Sequence, residues 1–436
     1  MADSTTYAAG ATRPPTALRL VLTVFMPFGC GYFLSYLFRT VNAVISQNLT
    51  TELGIGPADL GLLTSIYLIA FAIAQLPVGL ALDRYGPRRI NALLMLVAAA
   101  GAAIFAVAHS FPLLLLARAL IGLGMAACLM AAIKANALWF PGDRIPLLNN
   151  LIGAFGAFGA IAATRPVEIL LHTTDWRDIF AGLAVVTVVI SLAILMLVPE
   201  KKGEVRKDER FRDQIRGYAQ VFGEPFFWRI TLIYAIAYTA FVSYQTLWAD
   251  PWLRDVAGLA QTERANYLFA IQVGFLAGLL LTGTMADRLR RTRVQPVHVF
   301  GGAMLILMGL QVLLALGVTS ALFAIWGLFG LVSSAIYLAY SMVSVRYPPA
   351  LTGRAITAMN FLLFAFAFIC QWGIGGVIQA FTEKPGGGYP PEAHFTALWI
   401  MIALQAVCYA IFVGPALIRL RDVAASLRRG PGRRNG

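Results

Sequence analysis

Long apolar runs separated by short polar breaks dominate the chain. A helix that crosses lipid needs about 20 apolar residues. Twelve stretches meet that requirement: 18–46, 59–82, 90–109, 111–139, 147–171, 178–198, 225–249, 264–286, 297–317, 320–345, 355–382 and 395–420. Spans three and four are divided only by a turn around His109–Pro112. The longest polar stretch, PEKKGEVRKDERFRDQIRGYAQVFGE at 199–224, mixes both charge signs and reads as a solvated, partly helical linker. The pattern predicts an all-α membrane protein of twelve transmembrane helices in two six-helix bundles. The expected order is a tail at 1–17, a bundle at 18–198, the linker at 199–224, a second bundle at 225–420 and a basic tail at 421–436.

Composition agrees. The chain is 59% hydrophobic and only 13% charged, with a mean hydropathy of +0.74; soluble domains carry about 25% charged residues. A net charge of +13 raises the question of nucleic acid. The basic residues form no domain, however; they sit in the short breaks, so no nucleic-acid partner is expected. With the N-terminus on the cytosolic side, the cytosolic segments hold 25 of the 34 Lys and Arg residues. The outer segments hold Arg177, Arg254, Arg264 and Lys384. That asymmetry predicts a multi-pass protein of a bacterial inner membrane with both termini cytosolic. The N-terminal residues show no signal-peptide pattern and are expected to form a short cytosolic tail.

Cys30, Cys128, Cys370 and Cys408 all lie in apolar runs and read as small buried hydrophobes. No metal-ligand spacing is present, and no metal or cofactor is expected. No nucleophile–base grouping and no phosphate-cradling loop occur either, so the chain is not read as an enzyme or as an ATP-driven pump.

Two breaks repeat. Gly79, Asp83 and Arg84 share a Gly-x-x-x-Asp-Arg frame with Gly283, Asp287 and Arg288, at an offset of 204 positions between the two Asp residues. Phe140-Pro141 and Tyr347-Pro348, after spans four and ten, are 207 apart. Two motifs at nearly one offset indicate two halves in parallel repeat.

With its six-plus-six spans, central loop and the stretch Gly79, Asp83, Arg84, Gly86, Arg88, Arg89, the chain resembles the major facilitator superfamily. The resemblance implies one central site opened alternately to each side. It gives the repeated loops a gating role. Gly79 would admit a neighbouring helix, and Asp83 would face a helix N-terminus. Arg84, Arg88 and Arg89 would pair with carboxylates and helix ends across the halves. Such a latch would form only when the cytosolic side is shut.

Charged side chains within the membrane cost about 2.5–3.5 kcal/mol each on insertion scales and are functional candidates by default. Five basic residues remain: Arg39, Arg118, Lys134, Arg165 and Arg229, the last near the inner edge of its span, where it can snorkel. Tyr32, Tyr36 and Arg39 share one helix face. No acid is expected at mid-membrane, Glu168 being nearest, so the interior reads as positive and in need of an anion. Here YLFRTVNA in the first span resembles the arginine-bearing first helix of the organophosphate:phosphate antiporters and anion:cation symporters, and KANALWF resembles a segment of their fourth. By that likeness Arg39 and Lys134 bind the anion. The seventh span lacks the antiporters' second arginine, which argues against phosphate esters and for a carboxylate, with Arg165 as a second charge. Tyr238, Gln245, Tyr337, Asn360 and Gln371 are expected to complete the site with hydrogen-bond donors. Lys134 and Arg118 are the candidates for coupling.

The sequence therefore predicts a secondary transporter of a small organic anion that works by alternating access, as proton symport or anion exchange. It is expected to act as a monomer with the substrate, protons and the lipid bilayer as partners. The alternatives are a drug/proton exporter, a nitrate-type porter, or a sensor on a transport fold.

Overall fold

The computed structural model describes residues 17–142, 144–199, 211–289, 296–385 and 387–428. They form helices joined by short turns, with no strand among the described residues. Lipid offers no hydrogen bonds to a bare backbone, and a helix satisfies its own. Among the described residues, twelve helices are long and apolar enough to cross a membrane: Leu18–Thr40, Pro57–Gln75, Pro87–Val107, Phe111–Trp139, Leu147–Leu171, Trp176–Leu197, Pro225–Asp255, Gln261–Leu281, Val297–Ala315, Leu322–Tyr340, Leu351–Gln379 and Pro391–Gly414. These are spans 1 to 12. Spans 1–6 and 7–12 make two six-helix bundles. The seam between them is built by spans 2 and 11 on one side and spans 5 and 8 on the other.

Sequence explains where helices stop. Proline sits in the first turn of spans 2, 3, 4, 7 and 12, where its missing N–H costs nothing. The helix of span 2 runs on to Tyr85, and Gly86 takes φ +82° in the single-residue turn before the helix of span 3, a conformation that suits glycine. Span 6 starts at a capping box of Asp175 and Asp178.

Two spans run further than their hydropathy suggests. Span 1 breaks at Val41 and continues as a helix over Asn42–Leu53. Span 7 passes through a π-helical turn at Tyr244–Trp248 and stays helical to Asp255. The sequence reading ended span 7 at 249 and left Asp250 outside it; the structure places that carboxylate within the span, 4% exposed.

The two ends of the bundle pair differ. One carries Arg84, Arg88 and Arg89 and is called the basic end. At the opposite end described contacts cross the seam. Ser46 donates to Asp250 at 3.2 Å, Arg264 to Gln47 at 2.5 Å, the Ala58 N–H to Gln379 at 3.0 Å, and Arg165 to the Thr262 carbonyl at 3.3 Å. At the basic end the described pairings stay within a bundle. Arg88 caps the end of span 6 through the Leu195 carbonyl at 2.9 Å, and Arg346 pairs with Glu224 at 2.7 Å. Gly79 was expected to admit a close neighbour. A Cβ there would meet nothing within 4 Å, so the expected close approach is not made at Gly79. Arg84 is exposed and lies over the Tyr85 ring. The side chain of Asp83 and those at 282–296, with Gly283, Asp287 and Arg288, lie outside the described residues.

Candidate substrate site

Arg39 ends the first helical segment of span 1, just before the break at Val41. It is 5% exposed and has no described carboxylate against it. Aromatic faces surround it instead. Its guanidinium carbon lies 4.8 Å from the Tyr36 ring centre, 5.0 Å from Phe71, 5.3 Å from Phe364 and 5.9 Å from Tyr67. Nη1 donates to the Tyr238 hydroxyl at 3.2 Å, across the seam. Nε is buried without a partner. Cation–π contacts are worth about 0.5–2 kcal/mol each. They offset part of the desolvation of a buried cation, which runs to several kcal/mol. What remains is a positive charge that a ligand anion can satisfy.

A tyrosine network extends from it into the second bundle. The Tyr36 and Tyr337 hydroxyls are 3.3 Å apart, again across the seam. Tyr234 donates to Tyr340 at 2.6 Å, and Tyr340 donates to the Asn360 side-chain carbonyl. Tyr32 meets Tyr36 edge-on at 5.2 Å. These rings seat because span 5 offers glycine: a Cβ on Gly156 would lie 2.7 Å from the Tyr32 ring and 2.9 Å from Tyr36. Of the residues singled out from sequence, Arg39, Tyr32, Tyr36, Tyr238, Tyr337 and Asn360 thus fall in one connected group.

The others are placed elsewhere. Lys134 donates to the Leu82 carbonyl at 2.7 Å, beside the 83–89 loop. Arg165 is paired with Glu168 at 2.5 Å, so the interior is not uncompensated at that point, and its bond to Thr262 makes it part of the opposite-end closure. Gln245 bonds Gln272 at 2.7 Å, and Gln371 bonds Thr246 at 3.2 Å. Arg118 has no accessible surface; it donates to the Phe38 carbonyl at 2.8 Å between the rings of Phe105 and Phe180.

The aromatic walls Tyr67, Phe71 and Phe364 were missed. The spacing of Tyr67 and Phe71, one helical turn apart in span 2, was the available signal. Also missed was Asp250, which receives Arg264 Nε at 2.7 Å in a pair that is almost wholly buried. Beyond that pair, at the opposite end, lies a recess of about 370 Å³ bordered by Gln47, Thr50, Trp248, Asp255 and His394.

Residues 28–370 match the Major Facilitator Superfamily. The chain belongs to that family. That family is one of membrane transporters and not of enzymes. The chain is similar to a probable L-galactonate transporter of Escherichia coli, with 25% identity over 64% of this chain and 64% of that one. It is also similar to a probable sulfoacetate transporter of Cupriavidus necator, with 22% identity over 59% and 63%. A probable nitrate/nitrite antiporter of Thermus thermophilus matches with 26% identity over 58% of each. The matched stretch spans less than two thirds of each relative. In fold, the chain superposes on an inward-facing, unoccupied bacterial homologue of the lysosomal transporter Spinster. The TM-score is 0.74 at 16% identity, covering 94% of this chain and 99% of that one.

Proposed function

We propose that this facilitator carries a small organic anion, a carboxylate, across a bacterial inner membrane by alternating access, with the basic end cytosolic. The observation that supports it is Arg39: a buried guanidinium with an unpartnered Nε, set at the seam and bonded to Tyr238 of the other bundle. A planar guanidinium binds a carboxylate through two parallel N–H groups. Because Arg39 touches both bundles, an anion bound there changes how they pack, and that differential contact is what shifts an equilibrium between two states. The probable L-galactonate and probable sulfoacetate transporters among its relatives support the organic-anion reading.

In this reading Tyr36, Tyr238, Tyr337, Tyr340 and Asn360 line the substrate, and Lys134 serves the basic-end gate through Leu82. Proton symport and anion exchange are both compatible with a site whose cation stays charged. The nitrate/nitrite relative favours a second reading, a nitrate-type porter. Uptake by proteoliposomes decides between them: organic acids should drive counterflow that Arg39→Ala abolishes. Counterflow driven by nitrate alone would select the second reading.

A further inference from the structure

The interior charges, taken one by one, say how much negative charge the substrate carries. Sequence leaves five basic residues assigned to neither loop face, and the structure gives a position to each. Arg165 is neutralised by Glu168. Lys134 is bonded to a carbonyl at the end of span 2, and Arg229 donates to the Phe412 carbonyl at 2.6 Å. Arg118 is sealed behind the backbone of Phe38 by two phenylalanine rings and presents no surface to a ligand. Arg264, buried in span 8, is held by Asp250. Among the described residues, only Arg39 of these cations stands in the tyrosine network. Its remaining described neighbours are neutral: Tyr36, Tyr67, Phe71, Tyr238 and Phe364.

Resting on the organic-anion reading, we infer that the site takes a singly charged hydroxylated acid and discriminates against dianions. One guanidinium meets one carboxylate. A second negative group on the same ligand would be taken from water into an aromatic-walled site with no cation to receive it, and an uncompensated buried charge costs several kcal/mol. The neutral side of the site suits a body that bears hydroxyls. The Tyr36–Tyr337 and Tyr234–Tyr340–Asn360 groups offer hydroxyl and amide partners spread over both bundles. A hydroxyl-bearing substrate can exchange bonds with these groups, whereas a bare hydrocarbon tail would offer them none.

The test uses pairs of acids matched in size but not in charge: gluconate against glucarate, and glycerate against tartronate, with nitrate as a small monoanion. Binding to the purified full-length protein is read by thermal shift and isothermal titration at neutral pH, and exchange by counterflow in proteoliposomes. The monoanion of at least one pair should bind ten-fold or more tighter than its dianion, and Arg39→Ala should remove that binding. Dianions that bind as tightly as their monoanions, or tighter, in an Arg39-dependent manner would overturn this inference and leave the organic-anion reading standing. Nitrate as the sole ligand would overturn both. So would binding by none of the five probes.

Discussion

Asp250 and Arg264 form an almost wholly buried ion pair within the second bundle, and each also reaches across the seam. Asp250 accepts from Ser46, and Arg264 donates to Gln47. The charges compensate each other inside one bundle, so the bonds to Ser46 and Gln47 can break and reform without leaving a charge alone. Such an arrangement closes the opposite end without locking it. It accounts for a buried acid and base in spans 7 and 8.

The first prediction concerns that closure. Ser46→Ala with Gln47→Ala removes both cross-seam partners and leaves the ion pair intact. A net hydrogen bond is worth about 0.5–1.5 kcal/mol, more when one partner is charged. Loss of two should shift the equilibrium towards opening at this end about ten-fold. In a background freed of Cys30, Cys128, Cys370 and Cys408, a cysteine at Thr50 on the recess should be labelled faster by a membrane-impermeant thiol reagent. Unchanged labelling would remove the gate role from this cluster.

Gly156 supplies a second prediction. Gly156→Ala puts a methyl group 2.7 Å from Tyr32 and 2.9 Å from Tyr36. The rings must move, and Tyr36 moves away from Arg39 and Tyr337. Transport KM should rise several-fold, with protein level and insertion close to wild type. Gly153→Ala is the control, since a Cβ there meets nothing within 4 Å. Equal effects at the two positions would contradict the seating argument.

A third prediction separates coupling from gating at Lys134. Its bond to the Leu82 carbonyl ties spans 4 and 2 at the basic end. Lys134→Arg keeps the charge and the donor but cannot release a proton near neutral pH. Whatever accumulation a pH gradient drives in wild type should survive, with turnover altered no more than a few-fold. Its loss, with counterflow retained, would make Lys134 the proton carrier after all.

How much was legible in the sequence follows from what each signal measures. Hydropathy records burial in lipid, so the twelve spans were clear. The short turn before Phe111 was found because Ser110 and Pro112 mark it. Hydropathy falls at a charged residue whether or not the helix ends there, which is why Asp250 was left outside span 7 although the helix runs on to Asp255. Periodicity placed Tyr32, Tyr36 and Arg39 on one face because they share a helix. It could not report that Arg39 meets Phe364 or Tyr238, since those contacts join residues about 200 or more positions apart. Single-residue reasoning also treated Arg165 as an uncompensated charge. Glu168, one helical turn on, was visible in the sequence, and the i,i+3 spacing was the overlooked clue.

The central claim is that Arg39 is the anion-binding charge, and transport by Arg39 variants tests it most directly. Wild type, Arg39→Lys and Arg39→Ala are reconstituted at equal density, and counterflow of the best monoanion from the paired screen is measured. Lysine keeps the charge and loses the planar fork. The account predicts a fall of at least ten-fold for Arg39→Lys and no flux above empty liposomes for Arg39→Ala, with both variants inserted and folded. Wild-type flux through Arg39→Ala would contradict it.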